Sequence, residues 1–527
     1  MTVRQGFIIL SLALLVLVAL WSVYWPLALW LLIPVLIFIA LGVYDMLQRR
    51  HTILRLYPII GHLRFLFESV RREIQQYFVE SDTNGKPISR EFRALVYQRA
   101  KGDTDTRPFG TIFDVYRDGC EWINHSLAPK AIVEHNPRIL FGEDTCAQPY
   151  AASPLNISAM SYGSLSKTAI MALNKGAQMG GFAHNTGEGG LSPYHLEYGA
   201  DVIWQIGTGY FGCRNANGGF DADKFKQGST LPAVRMIEIK LSQGAKPGHG
   251  GILPAAKLTE EIAAIRQVSM GRDVVSPAAH SAFDSPAGLL RFVVQLRELS
   301  GGKPVGFKLC IGAEHEFFGI CKAMLETGIT PDFITIDGSE GGTGAAPIEL
   351  TNSVGTPLRD GLVFVDRALK GIGLRHKVRL IAAGKAISAF HVIRLLALGA
   401  DTVNVARAMM FALGCIQSRS CNTDKCPTGI ATQDPARYKA LDVDLKGQRV
   451  ANYHKAMIEN MLELLAAAGI TSLQDLQPCH IHHRVGGTVV KNYDELFPPV
   501  ADGCLLDEAA VPANWKDAWT RADANAW

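Results

Sequence analysis

Charge of one sign is what this chain has least of: 52 Lys and Arg stand against 49 Asp and Glu, a formal net charge of +3 over 527 residues. A surface that neutralises phosphates needs a basic excess, so no nucleic-acid partner is expected, and no acidic disordered tail either. Charge is also missing locally, since no charged side chain occurs from Gly6 to Tyr44. No dinucleotide fingerprint for NAD(P)H is read along the chain, so the electron donor is expected to be external. Disulfides are not expected: the ten cysteines follow a segment read below as a membrane anchor with cytoplasmic ends, where thiols stay reduced.

The uncharged run holds two apolar stretches, Phe7 to Val23 and Leu27 to Tyr44, separated by Trp25-Pro26. Each approaches the roughly 20 residues needed to cross a hydrocarbon core, and Trp21, Tyr24 and Trp25 sit at the turn, where aromatic rings favour the interface. A cleaved signal peptide is the competing reading, but no small-residue cleavage site follows the first stretch and a second apolar span does. Residues 1–47 therefore read as a transmembrane hairpin. Arg4 before it and Arg49, Arg50 and Arg55 after it place both ends in the cytoplasm, making this a two-helix membrane protein with a cytoplasmic catalytic domain. Residues 48–110 read as an amphipathic helical linker, with apolar positions from Phe65 to Phe78 at helical spacing.

Beyond it, short apolar or β-branched runs alternate with helical patterns, the signature of parallel strands with crossover helices. Eight candidate strands are Leu155 to Ala159, Phe182 to Asn185, Val202 to Ile206, Met236 to Leu241, Val305 to Leu309, Phe333 to Ile336, Arg379 to Ala382 and Thr402 to Val405. The expected fold class is α/β, a closed (β/α)8 TIM barrel, with an open doubly wound sheet as the alternative that counting leaves standing. Many of the 51 glycines cluster just after these strands, where backbone must approach a ligand closely. Residues 441–527 read as a helical C-terminal extension.

The segment from Cys415 to Pro427 spaces Cys415, Cys421 and Cys426 as C-x5-C-x4-C-P. Iron-sulfur clusters are held by thiolates in such tight loops, and three ligands suit a 3Fe-4S cluster. Three buried thiols, or a zinc site lacking a fourth ligand at short spacing, are the alternatives on spacing alone. The HIHH run at His480 to His483 reads as a solvated or capping patch before it reads as a metal site.

The run GCIQSRSCNTDKCPTGIATQDP, Gly414 to Pro435, closely resembles the cluster loop of the glutamate synthase large subunit. Four more blocks of that family recur in order: SAMSYGSLS at Ser158 to Ser166, HNTGEGG at His184 to Gly190, IKLSQGAKPGHGG at Ile239 to Gly251, and DGSEGGTGAAP at Asp337 to Pro347. The resemblance covers about residues 110 to 440, the expected catalytic domain (111–440), with residues 415–427 as its iron-sulfur loop. It implies an FMN-binding barrel that reduces 2-iminoglutarate, formed from 2-oxoglutarate and ammonia, to glutamate, with a 3Fe-4S cluster on Cys415, Cys421 and Cys426. It further implies flavin contacts at Ser161, Gln205, Lys308, Gly341, Gly342, Gly384, Lys385 and Arg407. Substrate binding falls to Gln243, Lys246 and Arg266, and Glu188 and Lys246 stand beside the reacting centre. Cationic and amide donors of this kind are what a dicarboxylate requires.

The departures bear on function. The family's amidotransferase domain starts with a cysteine nucleophile, whereas this chain starts Met-Thr-Val-Arg and enters the apolar hairpin, so ammonia is expected to be free or partner-supplied. The electron donor is expected to be ferredoxin, a separate reductase subunit or a membrane-bound carrier. His249 stands where the family has a glutamate and Tyr210 where it has an arginine, which leaves room for a flavin-dependent oxidoreductase of a different amino or N-alkyl amino acid. A non-catalytic scaffold is disfavoured because it has no use for three spaced thiolates.

Overall fold

Thr2 opens the first helix with a capping box: its hydroxyl accepts from the Gln5 amide (3.3 Å) while the Gln5 side chain accepts from the Thr2 amide (2.8 Å). That helix, Val3–Tyr24, ends at extended Trp25, and Pro26 starts a 3-10 turn, Pro26–Leu31, leading into Leu32–Leu47. The computed structural model describes residues 1–527 and divides the chain into two units, Met1–Arg90 and Glu91–Trp527. In the first, Val3–Tyr24 and Pro26–Leu47 are each 22 residues, long and apolar enough to cross a membrane. Helices Thr52–Leu56, Gly61–Ser69 and Arg71–Ile74 follow, with a closing π turn, Gln75–Val79.

The second unit is built on eight parallel strands: β1 (Leu155–Ile157), β2 (His184–Asn185), β3 (Val202–Ile206), β4 (Val234–Lys240), β5 (Val305–Leu309), β6 (Phe333–Asp337), β7 (Arg379–Ala383) and β8 (Thr402–Val405). All eight fall where the hydrophobic runs predicted them. Pairing of Val403 with Leu155 and Val405 with Ile157 joins β8 to β1 and closes the barrel, which rules out the open sheet.

Alternation along the strands stacks the interior in layers. The lowest holds Ala183, Ile203, Met236, Phe333 and Ile381, and it is plugged from below by Phe141, Tyr150 and Ala152 of the hairpin Ile139–Phe141/Tyr150–Ala152. Two residues further along the strands lies buried Glu238, which accepts from the side chains of Asn185 (2.8 Å), Gln205 (2.6 Å) and Thr335 (2.7 Å). Three donors on one carboxylate make its burial tolerable. Lys240 and Asp337 occupy the next level, at the C-terminal mouth.

The long helix Val443–Ala467, capped by Asp442, lies along the helix Lys167–Gly180 that follows β1. Their approach needs Gly176, where a Cβ would come within 2.6 Å of Val450. The C-terminal region also carries strands Ile481–Gly486 and Val489–Asn492, which pair with Glu121–Ile123 in a small antiparallel sheet.

Candidate active site

The loop after β2 carries Glu188 over the barrel mouth, where its carboxylate meets the Lys240 ammonium at 2.9 Å. Burial would raise the Glu188 pKa, but Lys240, Arg266 and Lys246 outweigh that and hold it below the usual carboxylate range. Glu188 therefore stands ionised in the free site. Two glycines make room for it: a Cβ on Gly207 would lie 2.7 Å from the Glu188 Cβ, and one on Gly251 would lie 2.1 Å from a Glu188 carboxylate oxygen. Gly251→Ala is expected to push the carboxylate off Lys240 and cut catalytic efficiency about tenfold or more with little change in thermal midpoint; a wild-type rate would show that this position of Glu188 is immaterial.

Two further side chains, Lys246 and Arg266, stand near this carboxylate. Lys246 is buried and donates to the Ala345 carbonyl at 3.0 Å; burial brings its pKa to about 8, opposed by Glu188 and assisted by Lys240. Arg266 donates through Nη2 to the Tyr162 carbonyl at 3.1 Å and lies over the Phe211 ring at 5.1 Å. Its Nε has no partner, nor does the buried Nε2 of Gln243. Two buried donors without acceptors are costly in a finished core and natural in a site that awaits a ligand. Ser161 borders the same space, since a Cβ on Gly189 would come within 2.8 Å of Arg266 and 2.9 Å of Ser161.

Across the mouth, Lys308 at the end of β5 pairs with Asp337 at 3.2 Å. Burial alone would lower its pKa, but Asp337 and Glu238 raise it, so the ammonium persists. Asp337 also accepts from the Gly244 amide at 3.0 Å, tying the Gln243–Lys246 turn to the far side. Arg407, at the start of the helix after β8, donates to the Glu340 carbonyl at 2.9 Å and packs where a Cβ on Gly342 would sit, at 3.0 Å. Gly341 and Gly342 in the β6 loop, Gly384 and Lys385 after β7, and Arg407 thus share one rim of the barrel.

The cysteine loop docks on the neighbouring rim. Gln433 donates to the carbonyls of Gly163 (3.0 Å) and Leu165 (2.9 Å) in the loop after β1, and Ser166 donates to Gly429 at 2.7 Å. Buried Lys257 donates to the carbonyls of Ser164 and, at 3.3 Å, Cys421. On the other side Tyr97 donates to the Cys415 carbonyl at 2.5 Å. The thiols of Cys415, Cys421 and Cys426 lie close enough to influence one another's ionisation. They do not converge on one point as ligands of a single ion would, but a cluster spreads its thiolates over its own width. The Cys426 environment suits a thiolate: burial raises its pKa, yet the Thr428 hydroxyl and the amides of Ala431, Thr428 and Ile430 bring it below the ordinary value.

Comparison with known proteins decides the family. Residues 114–471 match the model of the conserved region in glutamate synthase. The chain is 39% identical over 506 residues to the glutamate synthase large subunit-like protein YerD of Bacillus subtilis, covering 88% of this chain and 96% of that protein. The chain belongs to the glutamate synthase family. It is also 38% identical over 325 residues to an archaeal-type glutamate synthase [NADPH] of Thermotoga neapolitana, where the match spans 62% of this chain and 61% of the relative. A likeness to a solved flavocytochrome b2 variant with pyruvate bound (13% identity, 79% of this chain and 91% of that one, TM-score 0.41) is too distant to add to this.

The two departures from the glutamate synthase pattern take different places. Tyr210, buried and left-handed (φ 48°), accepts at its hydroxyl from the amides of Ser281 (3.1 Å) and Ala282 (3.0 Å) and lies 3.0 Å from Nδ1 of His280, whose Nε2 lies 2.9 Å from the Lys240 carbonyl. It braces the end of β4 instead of presenting its hydroxyl to the mouth. His249 is half-buried, with Nδ1 2.9 Å from the Gly250 carbonyl, in the turn leading to Gly251. Gln205 sits one layer below the mouth, on Glu238.

The histidine run forms no metal site. His482 stacks on Trp122, His483 faces Glu121 at 3.1 Å, and His480 accepts from the Gln477 amide at 2.9 Å. One motif was overlooked: Gly207 to Gly212, GTGYFG, fits Gly-x-Gly-x-x-Gly after β3. It opens no helix, since the next one, Ala222–Ser229, begins ten residues later, so the helix N-terminus that would bind a pyrophosphate is missing. Lys240 and Lys257 were also passed over. Lys240 was open to prediction, because strand alternation puts it on the same inward face as Glu238.

Proposed function

We propose that this member of the glutamate synthase family is an FMN and 3Fe-4S oxidoreductase that reduces 2-iminoglutarate, formed from 2-oxoglutarate and ammonia, to glutamate. The observation that carries the reading is a pair of unpartnered buried donors, Arg266 Nε on a side chain that shares Glu188 as neighbour with Lys246, and Gln243 Nε2 in the turn that ends at Lys246. Planar guanidinium and amide donors fit carboxylates, and a dicarboxylate satisfies them together. Ser161, Lys308, Gly341, Gly342, Gly384, Lys385 and Arg407 would hold FMN, which would supply the hydride, and Cys415, Cys421 and Cys426 would hold a cluster able to relay single electrons from an external ferredoxin or reductase, while Gln205 keeps its place on Glu238 beneath the mouth. Lys308 keeps a fixed positive charge at the barrel mouth, where it would favour a reduced, anionic flavin. Glu188, being ionised, orients the substrate nitrogen by accepting a hydrogen bond from it. Lys246, with a pKa near working pH, holds the proton that nitrogen needs. The apolar hairpin anchors the enzyme in the membrane with its basic flanks and catalytic unit on the cytoplasmic face.

The Lys246 assignment has a pH signature. The ammonium exists below about pH 8 and is lost above it, so kcat/KM for the dicarboxylate should fall as pH rises through about 8. Glu188, held below the usual carboxylate range, faces the same group and stays charged across that range. Lys246→Gln should lower the rate and remove this alkaline limb; an unchanged limb would assign it elsewhere. The test of the whole reading is anaerobic: 2-oxoglutarate, ammonia and a reduced viologen dye should yield glutamate. His249 favours a second reading, oxidation of another amino or N-alkyl amino acid coupled to a membrane carrier. Absence of glutamate, with flavin reduced on adding such an amine, would select it.

A further inference from the structure

The helical segment after the hairpin presents an exposed apolar stripe. Leu63, Leu66, Phe67, Val70, Ile74 and Phe78 recur at three- and four-residue steps, one face of a helix, and all are exposed, Phe67 at 61% and Phe78 at 84%. Such a face is ordinarily buried against a core. The segment and its approach are basic: Arg49, Arg50 and Arg55 precede it, and within Gly61–Val79 Arg64, Arg71 and Arg72 stand against Glu68 and Glu73.

The start of this helix is fixed to the end of the hairpin. Buried Asp45, in the last turn of Leu32–Leu47, accepts from the Ile59 amide at 2.9 Å and lies 2.9 Å from Nε2 of His62. The stripe thus begins beside the end of the second apolar helix and runs over the helices Gly61–Ser69 and Arg71–Ile74, which meet at Val70, and the π turn Gln75–Val79. A helix with one apolar aromatic face and arginine on its flanks matches the boundary between acyl chains and anionic headgroups.

We propose that Gly61–Val79 lies in the plane of the cytoplasmic leaflet, its Leu63–Phe78 stripe among the acyl chains and its arginines on anionic headgroups. This rests on the hairpin spanning the membrane, and it adds a second membrane contact that fixes the anchor's orientation. The partner it commits to is an anionic bilayer; a protein partner or a second copy is what the test would otherwise reveal.

The whole 527-residue chain, reconstituted in nanodiscs of phosphatidylcholine with or without phosphatidylglycerol, is followed by hydrogen exchange beside the double variant Phe67→Glu/Phe78→Glu. Amides of residues 61–79 should exchange about tenfold slower in wild type than in the variant with phosphatidylglycerol present, less so without it, while catalytic-unit peptides exchange alike in both. Equal exchange in wild type and variant overturns the proposal. So does protection that depends on protein concentration and not on the lipid. A chain that the discs fail to retain would instead overturn the spanning hairpin, and this proposal with it.

Discussion

Cys421→Ala is expected to abolish the cluster and leave the flavin in place. Bound iron and acid-labile sulfide should fall to background and the oxidised-cluster EPR signal should vanish, while the flavin absorbance per protein stays near wild type. The reason is geometric: the cysteine loop is stitched to the loop after β1 by Gln433 and Lys257, whereas Lys308, Gly341, Gly342, Gly384, Lys385 and Arg407, the residues proposed for the flavin apart from Ser161, follow β5 to β8. Turnover with the physiological donor should be lost, and turnover with a dye that reduces flavin directly should survive in part. The control is Cys321→Ala, a buried thiol in the helix Glu314–Thr327. That variant should keep its iron. Equal iron in both variants would show that Cys421 is no ligand.

Arg266→Ala is expected to have the second largest effect, on substrate affinity. Removing a buried charge that pairs with a carboxylate costs about 2 to 5 kcal/mol, or roughly thirtyfold to several thousandfold in affinity. Burial already lowers the Arg266 pKa to about 10 against the pull of Glu188, so the guanidinium is held at a cost that a bound carboxylate repays. KM for the dicarboxylate should rise steeply and kcat change less, with Arg266→Lys intermediate because one fork of the bidentate contact is lost. A KM unchanged in Arg266→Ala would mean that Arg266 serves only to hold Tyr162.

The barrel was legible because each strand is a short apolar run bounded by glycine or polar residues. The plug beneath it was not: Ile139–Phe141 and Tyr150–Ala152 are three-residue strands whose apolar side chains make sense only once the barrel has closed above them. The small sheet on Glu121 was hidden for a similar reason. Glu121 is half-buried and accepts from Arg394, Arg359 and Tyr493, residues more than 200 positions away, and local pattern carries no trace of such partners. At the site, two of the residues singled out by the family resemblance, Lys246 and Arg266, stand near one carboxylate, Glu188. The resemblance could not place Gln205, whose layer is set by how many residues of β3 lie below the mouth, nor show that Tyr210 turns its hydroxyl onto the His280 loop.

The proposed function requires one chain to hold both a flavin and a three-iron cluster on the cysteine loop. The most direct measurement is iron, sulfide and FMN content, with EPR, of the detergent-solubilised protein purified anaerobically. The account predicts about three irons per FMN and an EPR signal of the oxidised cluster that disappears on adding one electron. Flavin without iron, or iron held only as a single ion, would contradict it.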